Sequence, residues 1–459
     1  MRRRRPARNP ARNPERRARP TLSDAETAST ALHRDHGLVR GIGPMGMAAN
    51  IVNGVVGAGI FTLPAAVALS AGAAAPAAYL VCAAAMAGVV ICFAEAGSRV
   101  PTSGGAYGTV EAAFGPAAGF ATGMLLLVSD ALASGGVAAA IADMVGTMLP
   151  SLASGPGRIA LILAEYALIT SANLVDVRHL ARLITTATAL KMLPLLVFIA
   201  LGLLAIGLPP PSGPPETPFS LGGFGRALIL TQFAFSGMET PLSASGELRD
   251  PARTLPRALF LAMLFILALY VAVQLTAQHL LGPLLMHASA PLTEGAARVS
   301  PSASYLLLGG AGLSMLVYLI SDVLGMSRLL FAFGRDRRLP RWFGHLNHRT
   351  NVPVNAIMVY VAVAFLLAIT GSFLELVVLS TLAVVAVYSM GCAAALVLQR
   401  RGVALAGHPL GFRWLPAAVC VGLAGMFGML LAAQWIEIAG VAVVVVVSLV
   451  LYAVMKIKT

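Results

Sequence analysis

Apolar stretches of membrane-spanning length alternate with short polar connections from residue 45 to residue 456. A helix needs about 20 mostly apolar residues to cross the hydrocarbon core of a bilayer. On that measure the pattern predicts twelve spans, over 45–70, 76–98, 116–148, 159–175, 180–207, 226–247, 256–281, 302–333, 353–370, 374–398, 414–433 and 436–456. The third and eighth are long enough to tilt strongly or to include a short surface helix. Two spans are interrupted. The first contains Asn53-Gly-Val-Val-Gly-Ala-Gly-Ile-Phe61, and the sixth contains Phe233-Ala-Phe-Ser-Gly-Met-Glu-Thr-Pro241. Lipid offers no substitute for lost helix hydrogen bonds, so such breaks persist only where backbone is buried in protein or lines a cavity.

The two broken spans are five positions apart in the order of spans, an odd offset, so the second set of five enters the membrane from the opposite side. This predicts an all-α polytopic membrane protein of about twelve transmembrane helices, built as a 5+5 inverted repeat plus two helices. The first repeat covers residues 42–207, the second 224–398, and the appended pair 413–457. The repeat rests on the breaks and the count, because the halves share no convincing residue-level identity. Paired interruptions of this kind point to a transporter's binding site.

Composition agrees with the pattern. Hydrophobic residues make up 58% of the 459 and charged residues 11%, against about 25% charged in soluble domains. The net charge of +13 invites a nucleic-acid reading, but its distribution argues against one. Eleven of the 32 Lys and Arg lie in residues 1–41, a Pro-, Arg- and Ala-rich segment without apolar periodicity. That segment reads as a disordered basic cytoplasmic tail that enforces topology and touches anionic lipid. No apolar segment with a small-residue cleavage site closely follows its charges, so it is not a signal peptide. With the N-terminus inside, 28 Lys and Arg fall on the cytoplasmic side and only Arg158, Arg226 and Arg298 on the other. The asymmetry places both termini in the cytoplasm of a multi-pass cell-membrane protein.

Cys82, Cys92, Cys392 and Cys420 all sit in apolar runs and read as small core residues. No nucleotide loop, metal-ligand spacing or nucleophile constellation is present, which argues against an enzyme and implies no cofactor or metal. No ion-filter pattern argues for a channel.

Four motifs then point to one family. They are Gly57-Ala-Gly-Ile-Phe61 followed by Leu63-Pro64, and Phe93-Ala-Glu-Ala-Gly-Ser-Arg99 running on to Tyr107. The third is Phe235-Ser-Gly-Met-Glu239 with Gly246-Glu-Leu-Arg-Asp-Pro251 and Leu255-Pro-Arg257. The fourth is Ser327-Arg-Leu-Leu-Phe-Ala-Phe-Gly-Arg-Asp336 with Leu339-Pro340. In this order, across residues 45–355, they resemble the amino acid–polyamine–organocation superfamily. The tail and last two spans carry no such motif. The resemblance implies a leucine-transporter-like fold and a secondary amino acid permease working by proton symport, exchange or facilitated passage. The implied partners are an amino acid substrate, protons and the lipid bilayer. A polyamine or cationic amino acid exchanger of the same fold is the alternative. Trp342, Trp414 and Trp435, all outside the broken spans, weaken it, whereas Asp130 and Glu239 keep it in play.

A free amino acid needs an anion site at one end and a cation site at the other. A helix broken within the membrane offers both, through unpaired N–H and C=O groups, without a net charge in the bilayer. The amides of Gly57, Ala58, Gly59 and Ile60 are the expected carboxylate donors; the family often has Ser or Thr where Ala58 stands. Close packing of small residues between helices would explain the same glycines. The carbonyls of Phe233, Ala234 and Ser236 are the expected ammonium acceptors. Phe233 and Phe235 are candidates for an aromatic gate, with lipid contact or core packing as the plainer role; the resemblance places the gate at Phe233. Asp130 is the deepest acid on the third span and a candidate to line the cavity.

Two further groups are expected to handle protons. Burial disfavours an unpaired charge, so Glu239 reads either as a proton carrier or as a hydrogen-bonded structural acid. Lys191 is the single Lys or Arg in a span interior. The resemblance implies a lysine standing where a sodium ion would lie between spans one and eight. A permanent pairing with Asp322 is the structural reading, and the two are compatible if Asp322 tunes Lys191. Asp143 and Glu165 lie nearer helix ends and are read as structural. Residues 290–298 resemble the family's segment before the eighth span, either a lid or an ordinary loop.

Overall fold

The computed structural model describes residues 43–100, 105–174, 177–207, 209, 211, 218–238, 251–347, 352–405 and 409–457. The tail 1–41 and Glu239 lie outside these. The described elements are α1 (Pro44–Val55), α2 (Gly59–Ala71), α3 (Ala75–Arg99), α4 (Gly105–Phe114), α5 (Pro116–Met148), α6 (Gly155–Asn173), α7 (Val177–Leu204), α8 (Leu221–Phe235), α9 (Pro251–Leu281), α10 (Pro291–Ala297), α11 (Pro301–Arg335), α12 (Val354–Thr370), α13 (Phe373–Arg400), α14 (Leu415–Ala432) and α15 (Trp435–Ile457). No strand occurs among the described residues.

Every expected span contains a described helix, and the sixth span beyond residue 238 lies outside the described residues. Several begin on proline, including α1, α5, α10 and α11, because the first helical residue needs no N–H partner and proline's φ is already suitable. Seven helical stretches are individually long and apolar enough to cross a membrane; Leu190–Leu204, Leu221–Phe235 and Val354–Thr370 are shorter apolar helices. α7 is itself 28 residues long, and α8 stops where the chain breaks.

The first span is two helices. Val56 leaves helical geometry at φ −76°, ψ 88°, and α2 restarts at Gly59. α8 ends at Phe235; Ser236 is extended, and Gly237 takes φ +104°. Of the helices of the two broken spans, α2 packs on α8, and they pack further on α3, α9, α13 and α14.

At the end of the bundle rich in Arg, α3 clamps the α13–α14 connection. Arg99 Nε donates to Glu95 Oε1 at 2.7 Å and Nη1 to the Val403 carbonyl at 3.0 Å. The Leu405 amide donates to the Arg99 carbonyl at 2.8 Å and the Phe412 amide to Glu95 Oε2 at 3.2 Å. Arg338 pairs with Glu111 of α4 at the same end, beside edge-on contacts of Phe333 with Tyr107. At the opposite end Arg226 of α8 holds Glu437 of α15 at 2.7 Å.

Candidate functional site

The two breaks cross at glycines. A Cβ on Gly237 would stand 2.5 Å from the Gly54 carbonyl oxygen, and its positive φ already disfavours any side chain. A Cβ on Gly59 would stand 3.3 Å from Ala234 Cα and from the Phe233 ring. The end of α1, the start of α2 and the end of α8 therefore meet with almost no side-chain volume between them.

A cavity of about 80 Å³ opens at this crossing, room for several water molecules. Gly57, Ala58 and Gly59 line it from the first break, and Phe233, Ala234, Ser236 and Gly237 from the other. The first amides of α2 have no preceding turn to bond to, and the last carbonyls of α8 have no following one. The start of α2 thus presents the positive end of a helix dipole and the end of α8 a negative one. Ser236 takes part of the second set: its amide donates to the Phe233 carbonyl at 3.1 Å and its hydroxyl to the Gln232 carbonyl at 2.9 Å. Each carbonyl oxygen keeps a second lone pair.

Two expected site residues are placed elsewhere. Ile60 is fully buried outside the cavity lining, so only its amide can be concerned. Phe235 does not face the cavity; it is buried against Tyr270 and Tyr79, ring centroids 5.5 and 6.4 Å away. Phe233 does line the cavity, with its ring edge-on to Phe373 at 6.4 Å.

The ionisable groups converge from three more helices. Asp130 of α5, Lys191 of α7 and Asp322 of α11 all line the cavity. Lys191 is 1% exposed, and its Nζ donates to the Asn53 carbonyl at 2.8 Å, in the last turn of α1. No ion pair joins it to Asp322 among the described residues. Asp322 accepts instead from the Tyr360 hydroxyl of α12 at 2.6 Å.

Sequence reading passed over Tyr270 and Tyr360. Tyr270 of α9 donates to the Val55 carbonyl at 3.0 Å, so with Lys191 it occupies two of the terminal carbonyls of α1. Each is a tyrosine inside an apolar span, and a buried hydroxyl needs a partner; that was the available signal. Tyr318, whose ring a Cβ on Gly57 would meet at 3.4 Å, is a third tyrosine inside an apolar span.

A second, larger cavity of about 340 Å³ lies beyond the Phe233–Phe373 pair. Phe61, Thr62, Asp143, Met286 and Phe373 line it, together with Leu292 and Thr293 of α10. Phe233 belongs to the inner cavity and Phe373 to this vestibule, so the two rings form part of the wall between them.

Residues 42–457 match the family described as amino acid permease. The chain is 30% identical over 414 residues to an uncharacterized transporter of Mycobacterium tuberculosis, covering 88% of this chain and 89% of the relative. It is 26% identical over 424 residues to the branched-chain amino acid permease BcaP of Bacillus subtilis, covering 87% and 90%. It is 25% identical over 385 residues to the serine/threonine exchanger SteT of the same organism, covering 80% and 85%.

Proposed function

The chain belongs to the amino acid permease family, a family of multi-span membrane transporters, and on that premise we propose that it moves neutral amino acids by proton-coupled alternating access. The supporting observation is that helix ends of opposite polarity border one cavity. The substrate carboxylate is assigned to the amides of Gly57–Ile60 and its ammonium to the carbonyls of Phe233, Ala234 and Ser236. The side chain then meets Val55, Ala133, Val137 and Val384, surfaces suited to an aliphatic group. The names of BcaP and SteT agree with a neutral substrate.

Lys191 is assigned the coupling proton. As an ammonium it holds the Asn53 carbonyl by a charge-assisted bond. Loss of the proton weakens that hold and frees α1 to move relative to α7 and α11. Asp322, held by Tyr360, tunes Lys191 across the cavity, and Glu239, outside the described residues, is the further candidate proton carrier. Phe233 and Phe373 gate the cavity from the vestibule, with α10 as its lid. The Lys and Arg distribution supports a cell-membrane protein with both termini cytoplasmic and a vestibule facing outward, and the paired breaks and helix count support 42–207 and 224–398 as inverted repeats.

Uptake of labelled amino acids by proteoliposomes, with and without an imposed proton gradient, tests the reading. Gradient-dependent accumulation of neutral aliphatic amino acids is the expected result. Absence of uptake and exchange across a broad panel, by pure folded protein, overturns it. Asp130 and Asp322 in the lining support a second reading, exchange of cationic amino acids or polyamines; lysine or a diamine displacing the neutral substrate at equal concentration would favour it.

A further inference from the structure

Glu165 lies on the buried stripe of α6 that also carries Ile162, Tyr166, Ile169 and Asn173. The residue is 8% exposed, and both carboxyl oxygens are buried without a hydrogen-bond partner. An ionised carboxyl in that setting is costly, and its neutral form far less so. Packing alone would be served as well by an apolar residue. Sequence reading treated Glu165 as structural, yet no structural bond holds it.

Its neighbours reach groups that line each cavity. Arg158, one side of Glu165 and within its electrostatic reach, pairs with Asp143 at 3.3 Å, and Asp143 lines the vestibule. The Tyr166 hydroxyl, also within electrostatic reach of Glu165, lies 3.2 Å from that of Ser134. Ser134 borders the carboxyl of Asp322, which lines the inner cavity. α6 packs against α5, α7, α11, α12 and the turn Pro150–Leu152. Their described titratable groups nearest this string are Asp130 and Asp143 on α5, Lys191 on α7, Tyr318 and Asp322 on α11 and Tyr360 on α12, with Arg158 and Tyr166 on α6 itself. The turn has none.

We propose that Glu165 is a proton-carrying residue separate from Lys191, loaded from the vestibule and coupled through Tyr166 and Ser134 to the charge of Asp322 at the cavity wall. The step is a proton transfer alone: a vestibule water or hydronium gives a proton to the Glu165 carboxylate, and the same O–H bond breaks on release. Arg158 keeps its charge throughout and sets the field that Glu165 feels. Tyr166 and Ser134 are positioning residues whose hydroxyls reorient as Glu165 changes charge. The proposal rests on the reading that transport is proton-coupled.

The test compares wild type with Glu165→Gln in proteoliposomes, by substrate counterflow and by accumulation under a pH gradient, and follows carboxyl protonation in both by infrared titration. The expected result is loss of gradient-driven accumulation in Glu165→Gln with counterflow retained, and loss of one titrating carboxylic-acid band from the wild-type spectrum. Wild-type accumulation by the variant, or an unchanged carboxyl spectrum, overturns the proposal. A wild type indifferent to the gradient instead overturns the proton-coupled reading itself, and with it the coupling role of Glu165. Should Glu165→Gln not fold, Glu165→Asp carries the test: the shorter acid is expected to shift the pH profile of accumulation, and a superimposable profile contradicts the role.

Discussion

Lys191 and the Asn53 carbonyl make the contact on which coupling turns in the proposed cycle. Lys191→Ala is therefore expected to abolish gradient-driven accumulation while leaving folded protein in the membrane; pH-dependent concentrative uptake by that variant would remove Lys191 from the mechanism. Tyr270→Phe deletes one donor to the same helix end. A buried hydrogen bond contributes about 1 kcal/mol, so the apparent affinity for substrate is expected to fall roughly fivefold, read as the concentration for half-maximal uptake. Gly237→Ala places a Cβ against the Gly54 carbonyl at a positive φ; the expected outcome is loss of monodisperse protein on size-exclusion chromatography. The sequence made Lys191 legible as the cation of a span interior, and Gly57, Gly59 and Gly237 as members of breaks. It could not name the partner of Lys191, because a backbone carbonyl leaves no mark in a sequence. The residues themselves did not separate Phe233 from Phe235, and only the family resemblance favoured Phe233; two residues apart on a helix, they point to different faces, and Phe233 is the one that lines the cavity.

At the scale of elements, hydropathy located the helices well where they were continuous. The expectation for 116–148 coincides with α5, and that for 302–333 lies inside α11. α4 escaped it, since ten residues after a Pro- and Gly-rich motif give no membrane-length signal. Both breaks were legible, the first as a glycine cluster and the second in Phe233–Pro241, where α8 stops at Phe235. Glu95 and Arg99 of the clamp between α3 and the α13–α14 connection stand in a legible motif, but their backbone partners leave no mark in the sequence. Glu95→Ala leaves Arg99 buried beside carbonyls alone. Removing one member of a buried pair costs about 3 kcal/mol or more, so the variant is expected to melt well below wild type in a detergent thermal-shift assay, with Gln at this position intermediate. Equal melting temperatures would show that the connection holds without it.

For the whole molecule, charge asymmetry and helix count led to an orientation that the packing of helices cannot supply. Ser154→Cys, in the exposed connection before α6, is expected to react with a membrane-impermeant maleimide in intact cells, and Ala404→Cys, in the α13–α14 connection, only after permeabilisation. The reverse pattern would invert the topology. Fold and family were legible because four motifs and twelve apolar runs survive in order along the chain. The vestibule was not, since Met286, Thr62 and Phe373 come from spans far apart in sequence and share no pattern. The central claim is that helix ends read both charges of an amino acid. Its most direct test is proteoliposome uptake of labelled leucine in competition with leucine, with the amine lacking its carboxylate, and with the acid lacking its amine. Competition by leucine alone is the expected result; no uptake from any labelled amino acid, or equal competition by either truncated analogue, would contradict the account.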